Sequence, residues 1–411
     1  MRHAPVSIVS PYVRHKWREW NYEIYAKEGY GGNPYIFRGI NFLTNFLGSI
    51  NFVVEDIGGD KPAPIENHPL IKLLDRPNKW MGKSLFMQTI GGHLLIGGRS
   101  HIIKVGPQTN MRSEDRTIRA PRELHLVGPD VMDFVRSKNV ADPYYPIARF
   151  EYRPQGTAIP YAPEDVVYMR MFHPTDPLDG LPPLMACSRC VDLNNEGRLW
   201  NMSLLKNGAR PSGVFTVDGT LDPIAFERGK QQLRDELGGP TNAGNVLLLE
   251  GGASWQELSY SPDRMAWETL NRVTGREIAI TLNVPPELCG DSEQKTYSNY
   301  KTAVKAGITE GGLPLLDMIV DELNVQLVPD FCNDPLNPNI RLNYIKDDIE
   351  GLSEDRDAVW KRTTDAHFLS INQKLEATGY ESIGPAGDVI LVPANLIPLD
   401  DITNEGAGAQ E

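Results

Sequence analysis

Arg276-Glu277-Ile278-Ala279, running into Asn283-Val284-Pro285-Pro286-Glu287-Leu288-Cys289-Gly290, is a helix that stops at a double proline. Proline inside a helix removes a backbone donor and clashes with the turn before it, so the helix cannot pass Pro285-Pro286. A polar stretch follows, Asp291-Ser292-Glu293-Gln294-Lys295, and then a second helical pattern from Tyr297 to Leu323. Such a helix–loop–helix with a charged tip can present a ring of side chains to something passing through an oligomer.

Working outward, the second helix carries Gly307, Gly311, Gly312 and Pro314 midway, which predicts a kink. Upstream, Asp263 to Leu282 reads as a helix. Trp267, Leu270, Val273, Ile278 and Leu282 can line one face, and Asp263, Arg264, Glu268, Arg272 and Arg276 another. Glu268 and Arg272 have i, i+4 spacing, worth roughly 0.2–0.5 kcal/mol as a pair. That face suits either solvent or subunit-to-subunit pairing. A similar helix is expected from Leu184 to Leu205, with one internal glycine, Gly197. Between the two lies a β-α-β-β pattern: a strand at Gly213–Val217, a helix from Asp222-Pro223 to Leu237, and strands at 245–249 and Trp255–Leu258. An insert hung from a helix pair is an unusual plan for an enzyme core.

Residues 1–33 are aromatic-rich and end in glycines, reading as an arm that needs another surface. A helical stripe then runs from Tyr35 through Ile40, Leu43, Leu47 and Ile50. Phe52-Val53-Val54 reads as a strand, His68-Pro69 opens a short helix, and Ser84 is expected to cap another that closes at Gly97-Gly98. From His101 to Met171 the pattern is of short strands. After the kinked helix come strand-like 325–328 and 340–344, one charged helix from Ser353 to Thr378, and a disordered end at 400–409. The expected class is α+β.

The 411 residues carry a formal charge of −13, unevenly spread. Residues 1–208 hold 25 basic and 21 acidic groups, net +4, while 209–411 hold 16 and 33, net −17. Residues 346–411 alone are net −9. An acidic second half argues against ordinary duplex binding, which depends on Lys and Arg displacing counterions. It does not argue against a surface that duplex slides past. No apolar run approaches the roughly 18–20 residues of a membrane span, and the N-terminus lacks a secretory core, so a soluble intracellular chain is expected.

Chemistry is sparse. No phosphate loop, nucleophile elbow or H-E-x-x-H is present. Cys187 and Cys190 form a C-x-x-C without a second ligand pair, and read as reduced thiols on one helix face. The eight histidines are scattered. Asp347, Asp348 and Glu350 cluster at a helix start, where negative charge complements the dipole. A metal site is the other reading of these carboxylates.

Five stretches, in order, resemble the portal proteins of tailed bacteriophages (the large siphophage-type family) and related gene-transfer particles. They are His68-Pro69-Leu70-Ile71-Lys72-Leu73-Leu74-Asp75-Arg76-Pro77-Asn78, Asp179-Gly180-Leu181-Pro182-Pro183-Leu184, Lys206-Asn207-Gly208-Ala209-Arg210-Pro211-Ser212-Gly213, the Arg276 to Gly290 segment, and Leu391-Val392-Pro393-Ala394-Asn395-Leu396-Ile397-Pro398.

The resemblance implies a non-enzymatic homo-oligomeric ring, usually of twelve subunits, at one capsid vertex, without cofactor. It implies an arm and wing at 1–180, stem helices at 181–208 and 257–282, a clip at 209–256 and a tunnel loop at 283–296. The kinked helix and remaining wing would be 297–345, and a helical crown with its tail 346–411. Glu287, Asp291, Ser292, Glu293, Gln294 and Lys295 would face double-stranded DNA. Arg264, Glu268, Arg272 and Arg276 would lie between subunits. Asp222, Glu227, Arg228, Arg234, Asp235 and Glu236 would dock the terminase large subunit and later the head–tail adaptor. The major capsid protein would surround the ring, in a virion assembled in the host cytoplasm. The competing readings are a metal-dependent nucleic-acid enzyme using Asp347, Asp348 and Glu350, and a minor capsid or scaffold component without a channel.

Overall fold

Asn21 opens the first element of the computed structural model: its side chain accepts the Ile24 amide, starting the single turn α1 (Tyr22–Ile24). The structure describes residues 21–59, 61–106, 120–141, 145–206, 213–216, 222–237, 254–257, 267–291, 297–332, 338–346, 349, 356–366, 368–378, 380 and 382–390. The turn continues as a π-helical stretch, Tyr25–Tyr30, with Tyr25 and Gly29 buried. The expected arm is thus corrected over its last part: residues 22–33 are built into the body. Asn33 then caps α2 (Pro34–Ser49), accepting from the amides of Tyr35 and Ile36 with Pro34 in the first turn. Ile36, Ile40, Leu43 and Leu47 form its buried stripe.

The chain proceeds through β1 (Phe52–Asp56), β2 (Ala63–Pro64), α3 (Pro69–Asp75) and α4 (Lys83–Gly97). Gly82, not Ser84, is the N-cap of α4. Ser84 lies one residue into the helix, where its Oγ would stand 2.6 Å from a Cβ on Gly48, so it is used for packing against α2. Strands β3 (Arg99–Val105), β4 (Glu123–Val127), β5 (Met132–Arg136), β6 (Ile147–Tyr152), β7 (Ile159–Tyr161) and β8 (Val166–Arg170) form two antiparallel sheets, ordered β4-β3-β8 and β5-β6-β7. Phe150, Met132 and Tyr168 pack between them with Val127 and Val166.

Helix α5 (Pro183–Ala186) breaks at Cys187 before α6 (Ser188–Lys206), so the single helix expected from Leu184 is two. Next come β9 (Gly213–Thr216), α7 (Pro223–Leu237) and β10 (Ser254–Glu257), with β9 and β10 antiparallel. The further strand expected at 245–249 lies outside the described residues. Helix α8 (Trp267–Thr281) leads to a 3-10 turn at Pro286–Cys289. The expected kink is a π-helical stretch, Gly307–Gly312, between α9 (Tyr297–Ala306) and α10 (Leu313–Gln326). A Cβ on Gly311 would stand 2.5 Å from the Asn283 carbonyl, so only glycine admits the turn at the end of α8.

The strand expected at 325–328 is instead the end of α10 and a 3-10 turn, Val328–Phe331. The physical reason is Gln326. Its carboxamide accepts the Tyr168 amide at 2.7 Å and donates to the Tyr168 carbonyl at 2.8 Å, closing the open edge of β8 with a side chain. Then β11 (Ile340–Tyr344) pairs with β1 in a sheet ordered β11-β1-β2.

A second compact unit, Ile345–Glu411, carries α11 (Arg356–Asp365) and α12 (Ile371–Ala377). The one helix expected at 353–378 divides because Ser370 and Gln373 form a capping box that starts a new helix.

The first unit holds two histidines in neutral form, His101 buried and His93 half-buried. His101 stacks on Tyr168 with 4.9 Å between ring centres, and neither of its ring nitrogens has a hydrogen-bond partner. Burial pushes its pKa down to about 3, and that of His93 down to about 4. In the unfolded chain both titrate near 6.5. The unfolded state therefore takes up protons that the fold refuses. This stability is whole above about pH 6.5 and drains as pH falls from there toward 4. Each residue is expected to contribute a slope of about 1.4 kcal/mol per pH unit within that window. Urea unfolding between pH 7.5 and 5 measures it. His101→Phe should reduce the slope, and an unchanged slope would refute the assignment.

Candidate functional site

Helices α6 and α8 run antiparallel, since their contacts occur in opposite order along the two elements. Cys190 Sγ donates to Glu277 Oε2 at 3.0 Å, and Asn194 Nδ2 donates to Asn271 Oδ1 and Thr274 Oγ1 at 2.8 Å each. Trp200 stacks on Trp267, ring centres 5.0 Å apart. Asn33 ties this seam to the start of α2: its Nδ2 donates to Asn194 Oδ1 and Asn195 Oδ1, both at 3.0 Å. Asn33, Asn194 and Thr274 are buried, so these bonds exclude water and hold the helix pair in one register. The Arg198 guanidinium lies over the Tyr35 ring at 5.5 Å.

A cleft of about 370 Å³ opens along the seam, lined by Leu193, Gly197, Arg198, Trp267 and Glu268 among others. Glu268 is its one carboxylate, and no His or Cys lines it, so no acid–base pair is assembled there. The four cysteines are free thiols. Burial pushes Cys187 up to about 11; burial and the Glu277 hydrogen bond push Cys190 up to about 12. Both stay protonated at neutral pH, which suits packing rather than metal binding or nucleophilic work.

At the end of α8 the chain turns sharply. Asn283 has φ 53° and Gly290 φ 113°, both left-handed, and they bracket the two prolines. Val284 donates its amide to the Ala279 carbonyl at 3.0 Å, and Asp291 to that of Pro286 at 3.1 Å. Leu282, Val284, Leu288 and Cys289 are buried, and Arg38 of α2 donates to the Leu288 carbonyl at 3.0 Å. The Arg276 guanidinium closes the turn by donating to the Asp291 carboxylate, and this bond raises the Arg276 pKa further. Residues 283–291 are therefore a braced post.

Of the residues singled out in the sequence, Glu287 is half-buried on that post, and Asp291 is its strut, with the side chain 11% exposed. Ser292, Glu293, Gln294 and Lys295 lie outside the described residues, as does Arg264. Glu268 is exposed and Arg272 half-buried on α8, while Arg276 pairs within its own chain. Asp222, Glu227 and Arg228 are exposed at the start of α7, and Glu227 pairs with Lys230 at 3.4 Å. Arg234, Asp235 and Glu236 belong to α7, but their side chains lie outside the described residues. The Asn33–Asn194–Asn271 network was missed. Its signal was Asn194-Asn195 in mid-helix, where asparagine is a poor helix former.

Among the described residues no group of three or more His, Cys, Asp or Glu could hold a metal ion, and no helix is long and apolar enough to cross a membrane. Asp347, Asp348 and Glu350 lie outside the described residues.

The chain is 32% identical over 365 residues to an uncharacterized protein of Rickettsia bellii (strain RML369-C), covering 87% of this chain and 89% of the relative. Among solved structures it is similar to a chain in the neck of a native GTA (gene transfer agent) particle computed with C12 symmetry. That match has a TM-score of 0.63 at 27% identity over 88% of this chain and 95% of that one. It shares its fold with an HK97 family phage portal protein from Corynebacterium diphtheriae, with a TM-score of 0.52 at 16% identity over 76% and 92% of the two chains. The phage portal protein profile matches residues 34–379. Spanning most of the chain, from the first residue of α2 to just past the end of α12, that match places it in the phage portal protein family.

Proposed function

We propose that this chain closes into a ring of twelve copies at one vertex of a phage or gene-transfer particle, where it is structural rather than enzymatic. Double-stranded DNA passes through its bore during packaging and ejection. The observation that carries this reading is the α6–α8 pair, locked by its buried asparagines and ending in a braced turn. Both outer flanks of the pair are apolar: Val273 and Ile280, seven residues apart on α8, and Leu199 and Met202 on α6, are each 44–64% exposed. Two different sticky flanks on one rigid element suit a head-to-tail contact, which closes into a ring. The C12 symmetry of the GTA neck supports twelve copies.

In this reading α6 and α8 are the stem, and β9, α7 and β10 belong to the clip that docks the terminase large subunit and the head–tail adaptor. The wing, with 1–180 and 297–345, meets the major capsid protein, and 346–411 forms the crown. The post at 283–291 carries the tunnel loop. Duplex presents one charge per about 1.7 Å, so 10 Å of bore faces about six phosphates. A lysine-lined wall would grip them, whereas Glu287, Glu293 and the polar Ser292 and Gln294 let the duplex slide. Asp291 contributes less, because Arg276 neutralises it.

Mass measurement and negative-stain microscopy of the purified assembly test the ring. The expected particle has a central hole, and a chain that stays single under all conditions refutes the proposal. Val273→Glu with Ile280→Glu is expected to shift the assembly to lower-order species in sedimentation while leaving the subunit's circular dichroism unchanged, since both side chains face outward. Rings of unchanged size would rule out this flank as the contact.

A further inference from the structure

The cleft along the α6–α8 seam is incomplete within one copy. Two of the side chains lining it carry buried donors that nothing accepts, Arg198 Nε and Trp267 Nε1. Buried N–H groups nearly always have an acceptor, so two orphans in one cleft mark a place for one. Neither side chain is free to turn away. Arg198 Nη2 donates to Asn271 Oδ1 at 3.4 Å while the guanidinium lies over Tyr35. Trp267 is stacked on Trp200, and a Cβ on Gly197 would stand 2.8 Å from its ring. The indole is thus pressed against the α6 backbone, level with Gly197.

Size and charge narrow the ligand. The cleft, at about 370 Å³, is far larger than the roughly 30 Å³ share of one water. Arg198 faces Glu268 across it, and Arg272 follows Glu268 by one turn of α8, so these three side chains are net positive by one. Orphan N–H donors in a positive setting suit a carboxylate, which only accepts.

Ring symmetry indicates which carboxylate. Rotation about a ring axis carries no translation, so a residue meets only those residues of the next copy that lie at its own height. Glu196 adjoins Gly197 and precedes Arg198 by two residues, a rise of about 3 Å along the same helix. It is exposed, with no hydrogen bond or ion pair among the described residues. It shares a face with Leu199, three residues on, which belongs to the outer flank of α6. The other carboxylates on the described parts of the pair are engaged. Glu277 accepts from Cys190, Asp192 interacts within its own copy, and Glu268 belongs to the cleft itself.

We infer that Glu196 of each copy enters the α6–α8 cleft of the next, its carboxylate accepting from Arg198 Nε and Trp267 Nε1. This contact rests on the ring proposed above and adds a polar key to its apolar flank.

Cross-linking tests it without touching the two donors. Glu196→Cys with Glu268→Cys puts one thiol on the flank and one at the cleft, and mild oxidation is expected to give a ladder of covalent oligomers. Each single variant should give none, which also controls for the native thiols. Sedimentation supplies a second measurement. Glu196→Ala and Trp267→Phe are each expected to raise the subunit concentration at half-assembly about tenfold. Combined, they should still raise it about tenfold, because both remove the same bond. Circular dichroism of the subunits serves as the folding control. A combined effect of about a hundredfold, the product of the two, overturns the contact. So do wild-type-like rings of the double-cysteine variant that yield no ladder, an outcome that leaves the ring itself standing. Wild-type protein without rings in negative stain would instead remove the ring, and this contact with it.

Discussion

Gly180→Ala is expected to destabilise the first unit by about 4 kcal/mol, near the upper end for single substitutions. A Cβ on Gly180 would lie 1.9 Å from the Gly98 carbonyl oxygen, and one on Gly98 would lie 2.4 Å from that of Gly180. Both contacts are backbone to backbone, so no side chain can swing aside. Gly98 also has φ 74°, which ends α4 in the left-handed region. To admit the methyl, the end of α4 and the segment around Gly180 must part. That would break the bond from the Met171 amide to the Gly98 carbonyl at 2.8 Å and disturb Arg99 on Asp179 at 3.2 Å. Urea unfolding gives the number. Gly92→Ala is the control: it lies in α4 with nothing within 4 Å of the added methyl, and should be neutral or stabilising by up to about 1 kcal/mol. Equal midpoints for wild type and Gly180→Ala would show that the close approach does not exist.

Asn194→Leu comes next, at about 3 kcal/mol. Leucine matches the volume but deletes the acceptor for Asn33 and the donors to Asn271 and Thr274, leaving buried polar groups unpaired. The loss should appear in two measurements. Stability falls, and assembly at a given subunit concentration falls with it, because the α6–α8 register loosens. Asn194→Asp keeps the acceptor for Asn33 and should recover part of the stability. If both variants match the wild type, the seam is not held by this network.

Local chemistry announced many of the elements. Asn33-Pro34 and His68-Pro69 start helices, Gly97-Gly98 ends one, and Pro285-Pro286 ends another, because caps, prolines and left-handed glycines act within a few residues. The departures have long-range causes. Gln326 continues a helix where Val325 to Val328 read as strand, since its partner, Tyr168, lies 158 residues away. Ser84 lost its capping role to packing against Gly48. The C-x-x-C was legible as thiols, but the Glu277 hydrogen bond to Cys190 was not.

Much of the order of helices and strands, the family likeness and the acidic second half were written in the linear chain, because propensity, capping and charge belong to residues and their near neighbours. Tertiary structure alone decided that three distant asparagines meet between α2, α6 and α8, and that Arg276 spends its charge on Asp291. It also decided that Gly98 and Gly180 touch backbone to backbone. Those facts depend on which buried surfaces face one another. A burial pattern says that a face is covered, but not by what.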